Sequence, residues 1–474
     1  MNQRVTRYEL ILVLTFGLAV ALVSARPYAG GWNDGSRLAQ VECLVDYGTL
    51  AIDSSIFVNP ARAKVSEATP YPPQDSDLLQ GGTRDKVLIN ERFYSDKPPV
   101  PALLMGAWYQ VLKWATGLQA SSRPDLFVYS MTVFSSGLSF VIAVLCIHLL
   151  GRKMLSERSR AFAVTISFAL GSSALAYARQ VNSHVELLAV AAALMVCLQS
   201  LRRRLFKAPS PIGLMAGMGL LAGLAYCMDL AVGPLLLISV LCLVAYRCRP
   251  MGSKGFSMVG IFLFSALPLI ALHHLLNYEI GGVLRPVITV AEYLYWPGSP
   301  FNAGNATGHW SHSSLWHCLV YALELLFGKK GFLLHQPVLI LALLGGIAVI
   351  FTDRPPVPEL PEMLFSFAWS GAVWLVYAWG SNNSSGICAT IRWFVPLLVP
   401  GYYVLLALLR YRPWHFPEFL VLGAGGMLLS IQMWRFGPWM RMVPGYWFIL
   451  GITLLGWSMV VLHRRRRSPD RVRQ

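Results

Sequence analysis

The residues best placed to do chemistry are a carboxylate just outside a membrane span and a few cations beside other span ends. Asp34 lies in Gly31-Trp32-Asn33-Asp34-Gly35-Ser36-Arg37-Leu38-Ala39, within ten residues of the first apolar run. Asp96 and Lys97 close the same loop in Phe93-Tyr94-Ser95-Asp96-Lys97-Pro98-Pro99. Arg179, His184 and Glu186 sit in and after a short turn, and Arg392 follows the polar run Asn382 to Gly386. A placed carboxylate can take a proton from a hydroxyl, and guanidinium or ammonium groups hold anions. Charge at the membrane boundary is costly, which makes each of these a functional candidate. Each also has a structural reading. Asp34 could cap the helix that follows, Arg37 could pair with Asp34, and Asp96 could pair with Lys97 or Arg92.

The elements that position these residues are apolar helices. Spanning a hydrocarbon core takes roughly 20 apolar residues as helix. Spans are expected near 8–25, 125–150, 161–178, 185–201, 212–228, 230–246, 256–274, 332–351, 363–380, 394–409, 418–433 and 445–462, twelve in all. Residues 100–118 are apolar enough to cross but carry Lys113 and follow two prolines. The positive-inside rule decides their placement. If they lie along the interface, one side collects Arg4, Arg7, Arg152, Lys153, Arg158, Arg160, Arg202 to Arg204, Lys207, Arg247, Arg249, Lys254, Arg354, Arg410, Arg412, Arg464 to Arg467, Arg471 and Arg473. That is 22 of the 39 basic residues. Both termini are then cytoplasmic, with a basic tail at 463–474. The first outer loop is 26–99, with ten acids against eight bases, and the second is 275–331, with His309, His312, His317 and a short apolar helix near 314–327. The N-terminus has the look of a secretory signal ending at Val23-Ser24-Ala25, and is read as an uncleaved span. No soluble domain is expected after the last span.

Composition sets the class. The 474 residues are 55% hydrophobic and 13% charged, with mean hydropathy +0.53, about half the usual charged share. That excludes a disordered chain, a disulfide scaffold and a soluble multidomain enzyme. The net charge of +16 calls for no nucleic-acid partner, because most of the basic residues sit in short connectors facing anionic lipid. Eight cysteines show no metal-ligand spacing, and no nucleotide-binding fingerprint appears. Asp229 is expected to cap a helix, and most tryptophans, Trp439 among them, to form the interfacial belt.

The membrane-proximal Asp34, the charged first outer loop and the Asp96-Lys97-Pro98-Pro99 exit resemble the GT-C glycosyltransferases. More narrowly, they resemble the protein O-mannosyltransferase and lipid A aminoarabinose-transferase superfamily (glycosyltransferase family 39-like). The first 200 residues carry the likeness best, through a span closing on Leu150-Gly151-Arg152-Lys153 and an outer turn at Tyr177-Ala178-Arg179. The later half matches in general design, best at Ile391-Arg392-Trp393-Phe394-Val395-Pro396.

The resemblance implies an all-α polytopic membrane protein of GT-C-like fold with interfacial helices in the first outer loop, in a plasma (bacterial inner) membrane. It implies transfer of a sugar from a polyprenyl-phosphate carrier to an extracytoplasmic hydroxyl on a glycolipid, polysaccharide or protein. Asp34 holds the position of the general base and Lys97 that of the family's lysine. Arg179 and Arg392 are phosphate clamps, with Arg37, Asp96, His184 and Glu186 as further substrate contacts. A phosphate leaving group needs no second acid, unlike glycoside hydrolysis. A divalent metal on Asp96 with His273 or His274 is a further option, and no other cofactor is implied. Two other functions stay open: an O-antigen ligase or polymerase-like enzyme, favoured by the second-loop histidines, and a lipid or sugar transporter. Against the transporter, no paired halves are seen.

Overall fold

In a computed structural model, residues 5–64, 67–204, 211–302, 304–353 and 357–467 are described. Arg4, Lys207, Arg354, Arg471, Arg473 and most of the basic tail lie outside them. The protein is a helical bundle embedded in the membrane, because lipid offers the backbone no hydrogen-bond partners and helices satisfy their own. Among the described residues, nine helices are long and apolar enough to cross, or ten counting one bent pair. Twelve were expected, and the difference falls at three places. Expected span 161–178 is a 14-residue helix, Arg158–Gly171, broken at Ser172-Ser173 before the single turn Ala174–Tyr177. Expected span 212–228 is the 15-residue helix Ile212–Tyr226. Expected span 332–351 bends by 101° where Pro337 starts a new helix, so Leu315–His335 and Pro337–Thr352 form the bent pair. The short helix foreseen near 314–327 is the first arm of that pair.

Four elements of the first 120 residues position the candidate site. Helix α1 (Arg7–Ser24) is the first span. Helix α2 (Trp32–Asp46) follows and is buried from Asp34 to Cys43. An antiparallel hairpin, β1 (Lys86–Ile89) and β2 (Arg92–Ser95), turns on Asn90 and Glu91, both at positive φ (49° and 65°). That backbone suits a tight two-residue hairpin turn. The hairpin is the one element that an all-α reading omits. It delivers Ser95 onto α2, where the Ser95 and Ser36 hydroxyls lie 2.7 Å apart.

Helix α3 (Pro99–Thr116) covers the 100–118 segment and does not meet the requirements for a crossing helix. It packs along α2. A Cβ at Gly106 would come 3.0 Å from Leu44, so the missing side chain permits close approach. Asp46 at the end of α2 accepts hydrogen bonds from Lys113 and Tyr109, each at 2.8 Å. Leu38, Val41, Ile52, Phe57, Tyr71, Tyr109 and Phe127 form the apolar core beneath this layer.

The basic connectors are less bare than their sequence suggests. Glu359 takes Arg202 at 2.8 Å and Arg410 at 3.1 Å, Glu362 takes Arg247 at 2.6 Å, and Glu418 pairs with Arg464 and with His415 at 3.0 Å. These glutamates are buried at the bundle end that carries the basic connectors. Part of the positive-inside signal is therefore also internal ion pairing between helices.

Candidate functional site

Asp34 is the third residue of α2, whose N-cap, Gly31, has no side chain to satisfy the free amides. The carboxylate binds just ahead of that cap: Oδ2 accepts the Gly30 N–H at 2.5 Å. The helix N-terminus favours negative charge, but the side chain is fully buried. Burial, helped by nearby Asp85 and opposed by the Gly30 amide, pushes its pKa up to about 7. Oδ1 has no hydrogen-bond partner among the described residues. One oxygen thus fastens the chain entering the helix, and the other is left without a partner among the described residues.

Arg37 does not pair with Asp34. Its Nη2 donates to Ser183 Oγ at 2.8 Å, its nearest acids are Glu186 and Asp96, and Nε has no described partner. Burial pulls the guanidinium pKa down. This arm of α2 thus reaches the N-terminal end of the Ser183–Arg204 helix, more than 140 residues on in the chain.

The hairpin exit builds the next layer. Lys97 Nζ lies 2.7 Å from both Asp85 and Asp96, and Ser36 donates to Asp96 at 3.1 Å. Burial pushes the Asp96 carboxyl up, with Lys97 opposing. Of the two partners considered for Asp96, Lys97 is the one it has.

The turn Arg179 to His184 docks on the long helix Pro124–Met154 at a π-helical stretch, Val133–Gly137. Such bulges expose backbone and side chains that a regular helix hides, and here Ser136 Oγ accepts the Asn182 amide at 2.8 Å. The Arg179 carbonyl accepts the Arg26 amide at 3.0 Å, and its guanidinium donates to the Trp434 carbonyl. Burial lowers the Arg179 pKa to about 10. His184 Nδ1 lies 3.6 Å from Asp229, which caps the Val232–Cys248 helix through the Ala231 and Val232 amides. Glu186 is buried, its backbone N–H donates to the Asn182 carbonyl at 3.4 Å, and Arg37 is the charge that acts on its carboxyl. Arg392 packs over Trp439, 5.5 Å from the ring centroid, and its Nε is unpartnered among the described residues.

Asp34, Arg37, Asp96 and Lys97 thus share one α2–hairpin unit, joined through Ser183 to His184 and Glu186. Arg392 and Arg179 approach from the later helices, linked by Trp439, whose indole N–H donates to Gln180. Asp85, Trp439, Gln180, Ser36 and Ser95 are site neighbours that the sequence did not single out for this role. Asp85 was one acid among ten in its loop, and only the hairpin tells it from the rest. The metal pairing is not assembled. His273 stacks edge-on against Tyr226 and neighbours Asn277, and His274 is bonded to Tyr226 and the Leu284 carbonyl. Among the described residues no three His, Cys, Asp or Glu side chains gather as a metal-holding group. In the second outer loop, His312 is 2.8 Å from the Ala378 carbonyl and His317 bonds Ser313.

No family model and no curated protein matches the sequence. Solved structures do. ArnT from Cupriavidus metallidurans bound to undecaprenyl phosphate aligns over 97% of this chain and 77% of its own, with TM-score 0.50 and 13% identity. The apo form of the same protein aligns over 95% and 76%, with TM-score 0.50 and 14% identity. The chain shares the overall fold of these two ArnT structures. The Archaeoglobus fulgidus oligosaccharyltransferase also aligns, over 95% of this chain and 54% of its own, with TM-score 0.45 and 12% identity.

Proposed function

We propose that this protein is a membrane glycosyltransferase that moves a sugar from a polyprenyl-phosphate donor to an acceptor hydroxyl, with Asp34 as general base. The observation that carries the reading is the state of Asp34. It is a buried carboxylate with one oxygen held by Gly30 and the other free, tuned to about 7. A base works best with a pKa near the operating pH.

In the proposed step, Asp34 Oδ1 takes the proton of the acceptor hydroxyl as its oxygen attacks the anomeric carbon. The bond from that carbon to the carrier phosphate oxygen breaks, and the electron pair leaves with the phosphate, inverting the anomeric centre. Cationic donors offset the growing phosphate charge. Arg37 and Arg392 suit this role, each keeping its Nε without a described partner, as Arg179 also does. Lys97, already flanked by Asp85 and Asp96, adds charge and holds the hairpin exit in place. Arg179, His184 and Glu186 complete the substrate contacts. No step is routed through a metal.

Two further observations support the reading. The fold is that of ArnT, a protein solved with undecaprenyl phosphate bound. An apolar groove of about 440 Å³, lined by Leu14, Leu18, Trp108, Tyr129, Phe134 and Leu138, runs between α1, α3 and the Pro124–Met154 helix. It would suit a prenyl chain beside the helix that follows Lys97. In this reading the site faces outward from a plasma membrane, α3 lies in the outer interface and both termini are cytoplasmic.

The test is transfer from a labelled polyprenyl-phosphate sugar to membrane acceptors by the purified protein. Wild type should form a covalent product and Asp34→Asn should not. Sugar translocation without a covalent product would refute the transferase reading.

A further inference from the structure

A second cavity, of about 400 Å³, opens beside the candidate site, at the low end for small-molecule sites. Its lining includes Tyr28, Gln74, Asp75, Asp77, Arg179 and Trp439, a mix of aromatic and planar polar groups unlike the apolar groove. Gly30, whose N–H holds Asp34, is also in the wall. Gly31 sits next to it. A Cβ there would lie 3.7 Å from Asp34 Oδ1 and 3.9 Å from the Trp439 ring. The buried, unpartnered oxygen of Asp34 and the indole therefore lie on either side of Gly31, next to the cavity wall.

Trp439 is held firmly. Its N–H donates to Gln180, Arg392 lies over its ring at 5.5 Å, and Tyr177 meets it edge-on at 6.2 Å. It is half-buried and belongs to the site, not to a lipid-facing belt. Across the cavity, Gln74 and Asp77 are exposed and Asp75 caps the helix Ser76–Gly81 through the Leu78 amide at 3.1 Å. With two acids against Arg179 alone, the rim carries a net negative charge.

We propose that this cavity binds the acceptor as an uncharged or amino-bearing sugar ring, with Trp439 as its stacking surface and the rim acids excluding phosphorylated sugars. This rests on the transferase reading above and adds the chemical class of the acceptor. The geometry favours acceptor over donor because Gly30, whose N–H holds the proposed base Asp34, forms part of the cavity wall and places the carboxylate directly behind it. An aromatic ring offers an apolar face to sugar C–H groups, while a rim of like charge repels a phosphate.

The test uses the full chain in detergent, by saturation-transfer NMR with methyl α-mannoside, methyl α-glucosaminide and mannose 6-phosphate. The first two should bind saturably and the third about tenfold more weakly. Trp439→Ala should abolish the signal and Trp439→Phe should retain it. Asp77→Asn, at an exposed position, should remove the discrimination against phosphate without a folding defect. The proposal is overturned by absence of saturable binding of both uncharged and amino sugars, or by equal binding of mannose 6-phosphate. In the transfer assay, Trp439→Ala should raise the acceptor KM and leave the donor KM unchanged. A raised donor KM would overturn the acceptor assignment. Binding needs no turnover, so a wild type that binds sugar but transfers none would sink the transferase reading alone.

Discussion

The pKa of Asp34 makes a prediction that separates catalysis from folding. A base that titrates at about 7 is active only when deprotonated, so kcat/KM should rise with pH through 7 and level off above 8. Each pH unit below 7 should cost about tenfold, giving about a hundredfold loss at pH 5. Asp34→Asn should remove general-base catalysis, a loss of about 10²–10⁴-fold, and with it this ascending limb.

Stability should move the other way. The native carboxyl titrates at about 7, against an ordinary 3.8. The folded state thus holds the proton more tightly than the unfolded chain, and stability falls as pH rises from about 4 to 7. The upper bound on that loss is about 4 kcal/mol. Asparagine carries no charge to desolvate, so the variant should melt no lower than wild type at pH 8. The assay pairs initial rates from pH 5 to 9 with thermal unfolding of the same preparations. An Asp34→Asn enzyme that keeps the limb near pH 7, or more than a tenth of the activity at pH 8, refutes Asp34 as base. An inactive variant with a lowered melting point would make Asp34 a structural residue.

Other consequences are as direct. Lys97→Ala leaves Asp85 and Asp96, both now 2.7 Å from the ammonium, facing each other without a cation. It should lower transfer at least tenfold, and Lys97→Arg should recover part of it, read as donor kcat/KM. Glu359→Ala strands Arg202 and Arg410 at the far end of the bundle. Breaking a buried pair costs about 3–5 kcal/mol, so the melting temperature should fall while the donor KM of the protein that stays folded is unchanged. Reporter fusions after residues 120 and 180 should both read outside, and one after 205 inside. An inside signal at 120 would mean that α3 crosses.

The structural class was legible in the sequence, because it depends on residue type and local spacing. An apolar run long enough to cross a bilayer becomes a helix wherever it lies, so most spans could be read directly. The exceptions were local in cause: the Ser172-Ser173 break, the short Ile212–Tyr226 helix and the bend at Pro337. Asp34, emerging from the membrane in a glycine-flanked helix start, was identifiable for the same reason.

What the sequence could not supply was everything set by contacts across the chain. Whether Arg37 pairs with Asp34, three residues away, or with Ser183, far along the chain, depends on which face of α2 meets the outer turn. Which of ten loop acids joins Lys97 depends on a hairpin of two four-residue strands with no apolar period strong enough to announce it. Trp439 reads as belt or as binding surface by composition alike. Only the packing of the late helices against Gly31 puts it beside the Asp34 oxygen, because burial and pairing energies belong to neighbours in space, not in sequence.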